Sequence, residues 1–144
     1  MAKYYNSRPL SVIQQLIKIK KDYDNIAHSC IKKDCLDVTL VIRPTENSDK
    51  YTVRILYKYD TFPYIYLLDP PLVQVNGKYP HHIYERTNEK TRLCVYYPRS
   101  REWTSDMFIA DTIIPWISTW LFAYEFWQIT GVWHYDESNH LNKG

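Results

Sequence analysis

The sequence predicts an α+β chain. Three observations carry that prediction: an apolar pattern of helical period near the start, alternating apolar positions in the middle, and a second apolar helical pattern near the end, beyond a long charged stretch.

The first element is an amphipathic helix of about five turns packed on a sheet, since Leu10, Ile13, Leu16, Ile17 and Ile26 recur at helical spacing against Lys18, Lys20 and Lys21. Ser7 is its expected cap, with Pro9 in the first turn. The period then changes to two: Leu36, Val38, Leu40 and Ile42 alternate with Asp37, Thr39, Val41 and Arg43 as a half-buried strand. A polar turn over 44–50 leads into Tyr51, Val53, Ile55 and Tyr57, so the two segments form an antiparallel hairpin. A third strand runs through Tyr64, Tyr66 and Leu68 to Pro70 and Pro71, and a shorter fourth covers 72–75, which completes a four-stranded antiparallel meander.

Residues 76–104 hold Gly77, Pro80, Pro98 and many charges, and are expected to be mostly irregular surface chain. Within them Leu93, Cys94, Val95 and Tyr96 form an apolar island that positions Cys94. Thr104 or Ser105 is then expected to cap a core helix through Ile109, Ile113, Trp116, Ile117, Trp120, Leu121, Tyr124 and Trp127. Pro115 should begin or kink that helix, and Gly131 should stop it, leaving 132–144 as a polar tail. At 144 residues a single domain is expected.

Several function classes are disfavoured. Only three Gly are present, with no GxGxxG or GxxxxGK[ST] pattern, so phosphate-cradling nucleotide sites of the usual kinds are not expected. A net charge of +2 does not argue for nucleic acid, which demands a clustered basic face. No early apolar run resembles a signal peptide, and the longest apolar stretch, 113–127, is broken by Pro115, Ser118, Thr119 and Glu125, so a cytosolic protein without a membrane span is expected. In a reducing compartment the three cysteines are read singly. His28, Cys30 and Cys35 lack paired metal-ligand spacing, and neither a metal nor a cofactor is expected. Fourteen Tyr and five Trp suit a core and an interface equally.

Across roughly residues 9–130, the pieces Phe62-Pro63-Tyr64, Pro70-Pro71, Tyr79-Pro80-His81-His82-Ile83-Tyr84, Leu93-Cys94-Val95 and Trp103-Thr104 occur in an order that resembles the ubiquitin-conjugating enzymes. The resemblance implies that family's fold: an N-terminal helix, a four-stranded antiparallel meander, an active-site loop with one cysteine, and a crossing helix. No His-Pro-Asn tripeptide occurs here. Further stretches, Leu93-Cys94-Val95-Tyr96-Tyr97-Pro98, Glu102-Trp103, residues 109–116, residues 120–127, Thr130-Gly131-Val132-Trp133 and His140, are similar to the stand-alone conjugating-enzyme-like proteins of bacterial cyclic-oligonucleotide-based antiphage signalling systems (CBASS). That likeness implies a cGAS-like nucleotidyltransferase as partner, its C-terminal glycine held on Cys94 as a thioester and passed to an amine, with an activating enzyme as a further candidate partner.

The chemistry asks for particular groups. Sulfur is both a strong nucleophile and a good leaving group, and nearby positive charge favours its thiolate. Between Glu85 and Glu102 five basic residues (Arg86, Lys90, Arg92, Arg99, Arg101) stand against three acids. His82, with His81 beside it, is the candidate oxyanion donor in place of the missing asparagine. Asp111 or Asp106 is the candidate to orient or deprotonate the incoming amine. The plainer alternatives are a buried structural cysteine and acids that merely suit a helix N-terminus. At the level of function, the competing readings are a catalytically silent adaptor of the same fold, motivated by the absent asparagine and the tyrosine-rich surface, and a thiol hydrolase using Cys94 with His82.

Overall fold

A computed structural model describes residues 8–87 and 89–135. The order of elements is α1 (Val12–Asp22), β1 (Ile26–Lys32), β2 (Cys35–Ile42), β3 (Tyr51–Lys58), β4 (Tyr64–Asp69), β5 (Ile83–Arg86), β6 (Thr91–Leu93) and α2 (Ile113–Thr130). The six strands form one sheet in the order β1-β2-β3-β4-β6-β5, with every pairing antiparallel. The α+β class and the β2–β3 hairpin agree with the sequence reading, but among the described residues the sheet has six strands where four were expected.

The extra strands lie where sequence signals are weakest. β1 takes Ile26 out of the predicted opening helix and pairs with β2 through a tight turn at Lys33 and Asp34, with φ of 51° and 62°. Left-handed conformation at two consecutive residues is usually announced by Asn-Gly or Asp-Gly, and here neither residue is Gly. β5 and β6 are four and three residues long, and β5 is mostly exposed. Residues 72–75 are not a strand: the Val73 N–H is taken by the Tyr124 hydroxyl at 2.7 Å, and Val75 makes only an isolated bridge with Lys78.

The first helix also begins later than expected. Ser11, not Ser7, caps α1 in a reciprocal box with Gln14, while Pro9 precedes the helix and Ser7 lies outside the described residues. The face it buries is Val12, Gln15 and Ile19, leaving Ile13 and Ile17 exposed. Of the apolar positions expected to face inward, Leu16 packs against the core but Ile13 and Ile17 do not, because the inward position between Val12 and Ile19 belongs to a glutamine. Gln15 is fully buried, donating from Nε2 to the Met107 carbonyl at 2.9 Å and accepting the Ile109 N–H at 2.8 Å. Those bonds tie α1 to the segment that enters α2.

That segment is a turn of 3-10 helix at Ile109–Asp111, so α2 itself starts at Ile113 behind Thr112, not at a cap on Thr104 or Ser105. Pro115 sits in its first turn, where a missing N–H costs nothing, and Gly131 ends it at φ 75°. Ile113, Ile117, Trp120, Leu121 and Tyr124 of α2 are buried in one core with Val38, Leu40, Val53, Ile55 and Tyr57 of the sheet. No helix among the described residues is long and apolar enough to cross a membrane.

Candidate active site

Cys94 follows directly on β6. The strand pairs Leu93 with Ile83, and the ladder runs one step further, with the Cys94 N–H donating to the His82 carbonyl at 3.0 Å. The same carbonyl accepts the indole N–H of Trp120 at 3.2 Å, so the crossing helix holds the strand end in place. On either side Leu93 and Val95 are buried and Tyr96 points into the core, as the apolar island predicted. The Cys94 side of the loop is therefore anchored at each neighbour, and Cys94 itself retains 9% exposure.

The chain beyond α2 completes this anchoring. Of the polar tail expected over 132–144, the described residues Trp133 and Tyr135 pack: Trp133 stacks on the His82 imidazole, ring centroids 5.0 Å apart, and meets Trp120 edge-on at 5.2 Å. The Trp133 indole N–H donates to the Tyr135 carbonyl at 2.7 Å, and the buried Tyr135 hydroxyl donates to the carbonyl of Val95. Aromatic side chains in a polar segment were the signal: each removes a large apolar area from water only by folding back. His134 meets the ring of Phe126 edge-on, and His140 lies outside the described residues.

After Cys94 the loop turns through Tyr97, which is exposed, and a 3-10 turn at Pro98–Ser100. Arg101 takes a left-handed φ of 61°. Trp103 returns the chain to the core, where its ring meets Tyr57 edge-on at 5.6 Å and its N–H reaches the Thr112 hydroxyl at 2.9 Å. Trp120 and Trp127 are likewise buried, whereas Trp116 is half-buried beside Tyr96. Burial pushes the Tyr96 phenol up, well out of reach of neutral-pH titration.

Two candidate helpers sit on different elements of this framework. His82 is brought to Cys94 through its backbone carbonyl, with its ring turned against Trp133. Asp111 ends the 3-10 turn beside α1, 3.3 Å from the ammonium of Lys18, which also bonds Asp22 and is thereby held charged. Asp106 accepts from the Thr104 hydroxyl, and His81 is exposed. Of the other thiols, Cys30 and Cys35 are both exposed on the sheet, opposite Asp37 and Lys32 respectively. Among the described residues no three His, Cys, Asp or Glu side chains are placed to share a metal ion.

The arrangement can do one kind of chemistry economically: present a thiol at a strand end on a backbone fixed by two helix- and tail-borne donors. A family model described as "Type II CBASS E2 protein" matches residues 15–141, and no curated protein matches the chain.

Proposed function

The chain belongs to the type II CBASS E2 proteins, and from that premise we propose that it is a cytoplasmic conjugating-enzyme-like transferase of ubiquitin-conjugating-enzyme-like fold, forming one domain. Cys94 would receive the C-terminal acyl group of a cGAS-like nucleotidyltransferase and pass it to an amine, priming antiphage signalling. The observation that carries this reading is the position of Cys94, at the end of β6 with its N–H on the His82 carbonyl, in a loop locked by Trp120 and Tyr135.

The reaction has two acyl transfers. The Cys94 thiolate attacks the carbonyl carbon of a C-terminal glycine already activated by an activating enzyme; the S–C bond forms and the activating group leaves. An amine then attacks the thioester, the C–N bond forms, the thiolate departs, and the amine gives up a proton. Both tetrahedral intermediates carry an oxyanion, for which His82 is the candidate donor, and Asp111 is the candidate group to orient the amine. Sulfur suits both steps because it leaves as readily as it attacks.

Non-reducing gels of the protein mixed with its nucleotidyltransferase and activating enzyme test this. A thiol-sensitive adduct is expected that Cys94→Ala abolishes and Cys30→Ala and Cys35→Ala retain. An adduct that persists in Cys94→Ala would refute it. The low exposure of Cys94 favours one second reading, a silent adaptor that binds the nucleotidyltransferase. In that case Cys94→Ala keeps both binding and defence.

A further inference from the structure

Three cations of the β5–β6 hairpin take tyrosine rings as their partners. The Arg92 guanidinium lies 3.8 Å from the ring centre of Tyr64 and 4.3 Å from that of Tyr84. The Lys90 ammonium is 4.4 Å from Tyr66, and the Arg86 guanidinium 4.0 Å from Tyr79. None of the three is in an ion pair: among the described residues the pairs are Lys18 with Asp22 and Asp111, and Arg54 with Asp37. Even Glu85, directly opposite Arg92 in the ladder, does not take it.

Stacking occupies the flat face of a guanidinium and leaves its in-plane N–H donors to others. It also orders a long side chain in advance, so a partner that meets it loses less entropy. The Nε atom of Arg92 is buried without a hydrogen-bond partner, which leaves the terminal nitrogens, a fork that suits a carboxylate. The cations lie close in sequence to the thiol. Arg92 precedes Cys94 by two residues and Lys90 by four, roughly 7 and 13 Å of extended strand, and Arg86 is paired with Thr91 between them.

We propose that this hairpin docks an acidic segment of the polypeptide whose C-terminal acyl group Cys94 accepts, its carboxylates meeting Arg92, Lys90 and Arg86. The inference rests on the transfer reading above. Because an extended donor chain has the same rise per residue, its acids belong about two to four positions before the terminal residue. A nucleic acid fits this surface less well. The ring faces on which bases would stack already carry cations, and three cations are fewer than the about six to ten phosphate contacts of a typical binder.

The full chain carrying Cys94→Ala is titrated into labelled short peptides that end in a free glycine, one with Glu at those upstream positions and one with Gln, and into oligothymidylate. The Glu peptide should bind about tenfold more tightly than the Gln peptide and weaken as salt rises. Arg86→Gln, Lys90→Gln and Arg92→Gln together should erase the preference. Equal binding of the two peptides, tighter binding of oligothymidylate, or a preference that survives the triple variant overturns the proposal. If the triple variant does not fold, Arg86→Gln alone, at an exposed position, should reduce the preference, and an unchanged preference counts against it. The two readings fail separately. Thioester formed equally well from Glu and Gln donors sinks the docking site alone, whereas Glu-selective binding with no thioester from any donor sinks the transfer reading alone.

Discussion

The Tyr135 hydroxyl donates to the backbone carbonyl of Val95, the residue after Cys94. A side chain five residues beyond the end of α2 thereby holds the backbone of the candidate active-site loop. Tyr135→Phe removes only that donor and keeps the buried ring. It should lower stability by about 1–2 kcal/mol in chemical denaturation, and slow thioester formation at Cys94 more than the stability loss explains. Trp120→Phe, which removes the donor to the His82 carbonyl, should act in the same direction. Unchanged thioester rates in both variants would limit these bonds to a structural role.

Gln15 is the one polar side chain on the buried face of α1, and each of its amide atoms meets a backbone group next to the crossing helix. Gln15→Leu fills nearly the same volume but strands the Met107 carbonyl and the Ile109 N–H. A loss of about 2–4 kcal/mol is expected from thermal or urea unfolding, larger than for substitution at the exposed Ile13 or Ile17.

Accessibility ranks the three thiols. Cys30 and Cys35 are exposed and Cys94 is not. In the native chain a small alkylating reagent should label Cys30 and Cys35 first, with Cys94 catching up in urea, as read by peptide mass spectrometry. Early labelling at Cys94 would show that its loop opens readily.

Arg54 grips Asp37 with two bonds, Nε to Oδ1 at 3.0 Å and Nη2 to Oδ2 at 2.7 Å, and the hydrogen bond from Arg54 holds the Asp37 carboxyl below its usual range. A carboxyl whose folded pKa is depressed contributes stability that is present above its unfolded pKa of about 4 and is lost as pH falls through the lower folded value. For a pair this exposed the contribution is about 1 kcal/mol or less. Asp37→Asn should therefore be slightly less stable than the parent near neutral pH, with the gap closing below about pH 4 in urea melts at stepped pH. A gap that stays constant with pH would exclude the ion pair as its cause.

Much of this protein was legible in its sequence because the relevant physics is local. Period-two alternation located β2 and β3, since each turns one side to the core; β4 lies where the third strand was expected but sends Ile65 and Leu67, not Tyr64 and Leu68, into the core; and Gly131 marked the end of α2 through its freedom at positive φ. The apolar island singled out Cys94 from Cys30 and Cys35, and Leu93, Val95 and Tyr96 are indeed buried around it. What the sequence could not show depends on partners distant in the chain. β1, β5 and β6 are defined by neighbours that supply their hydrogen bonds, and the inward stripe of α1 was misread in part because Gln15 is buried only where Met107 and Ile109 satisfy it. The same holds for the loop around Cys94. Its sequence names the thiol, but Trp120, Trp133 and Tyr135 reach it across gaps of 26, 39 and 41 residues, and only the folded chain brings those donors and rings to it.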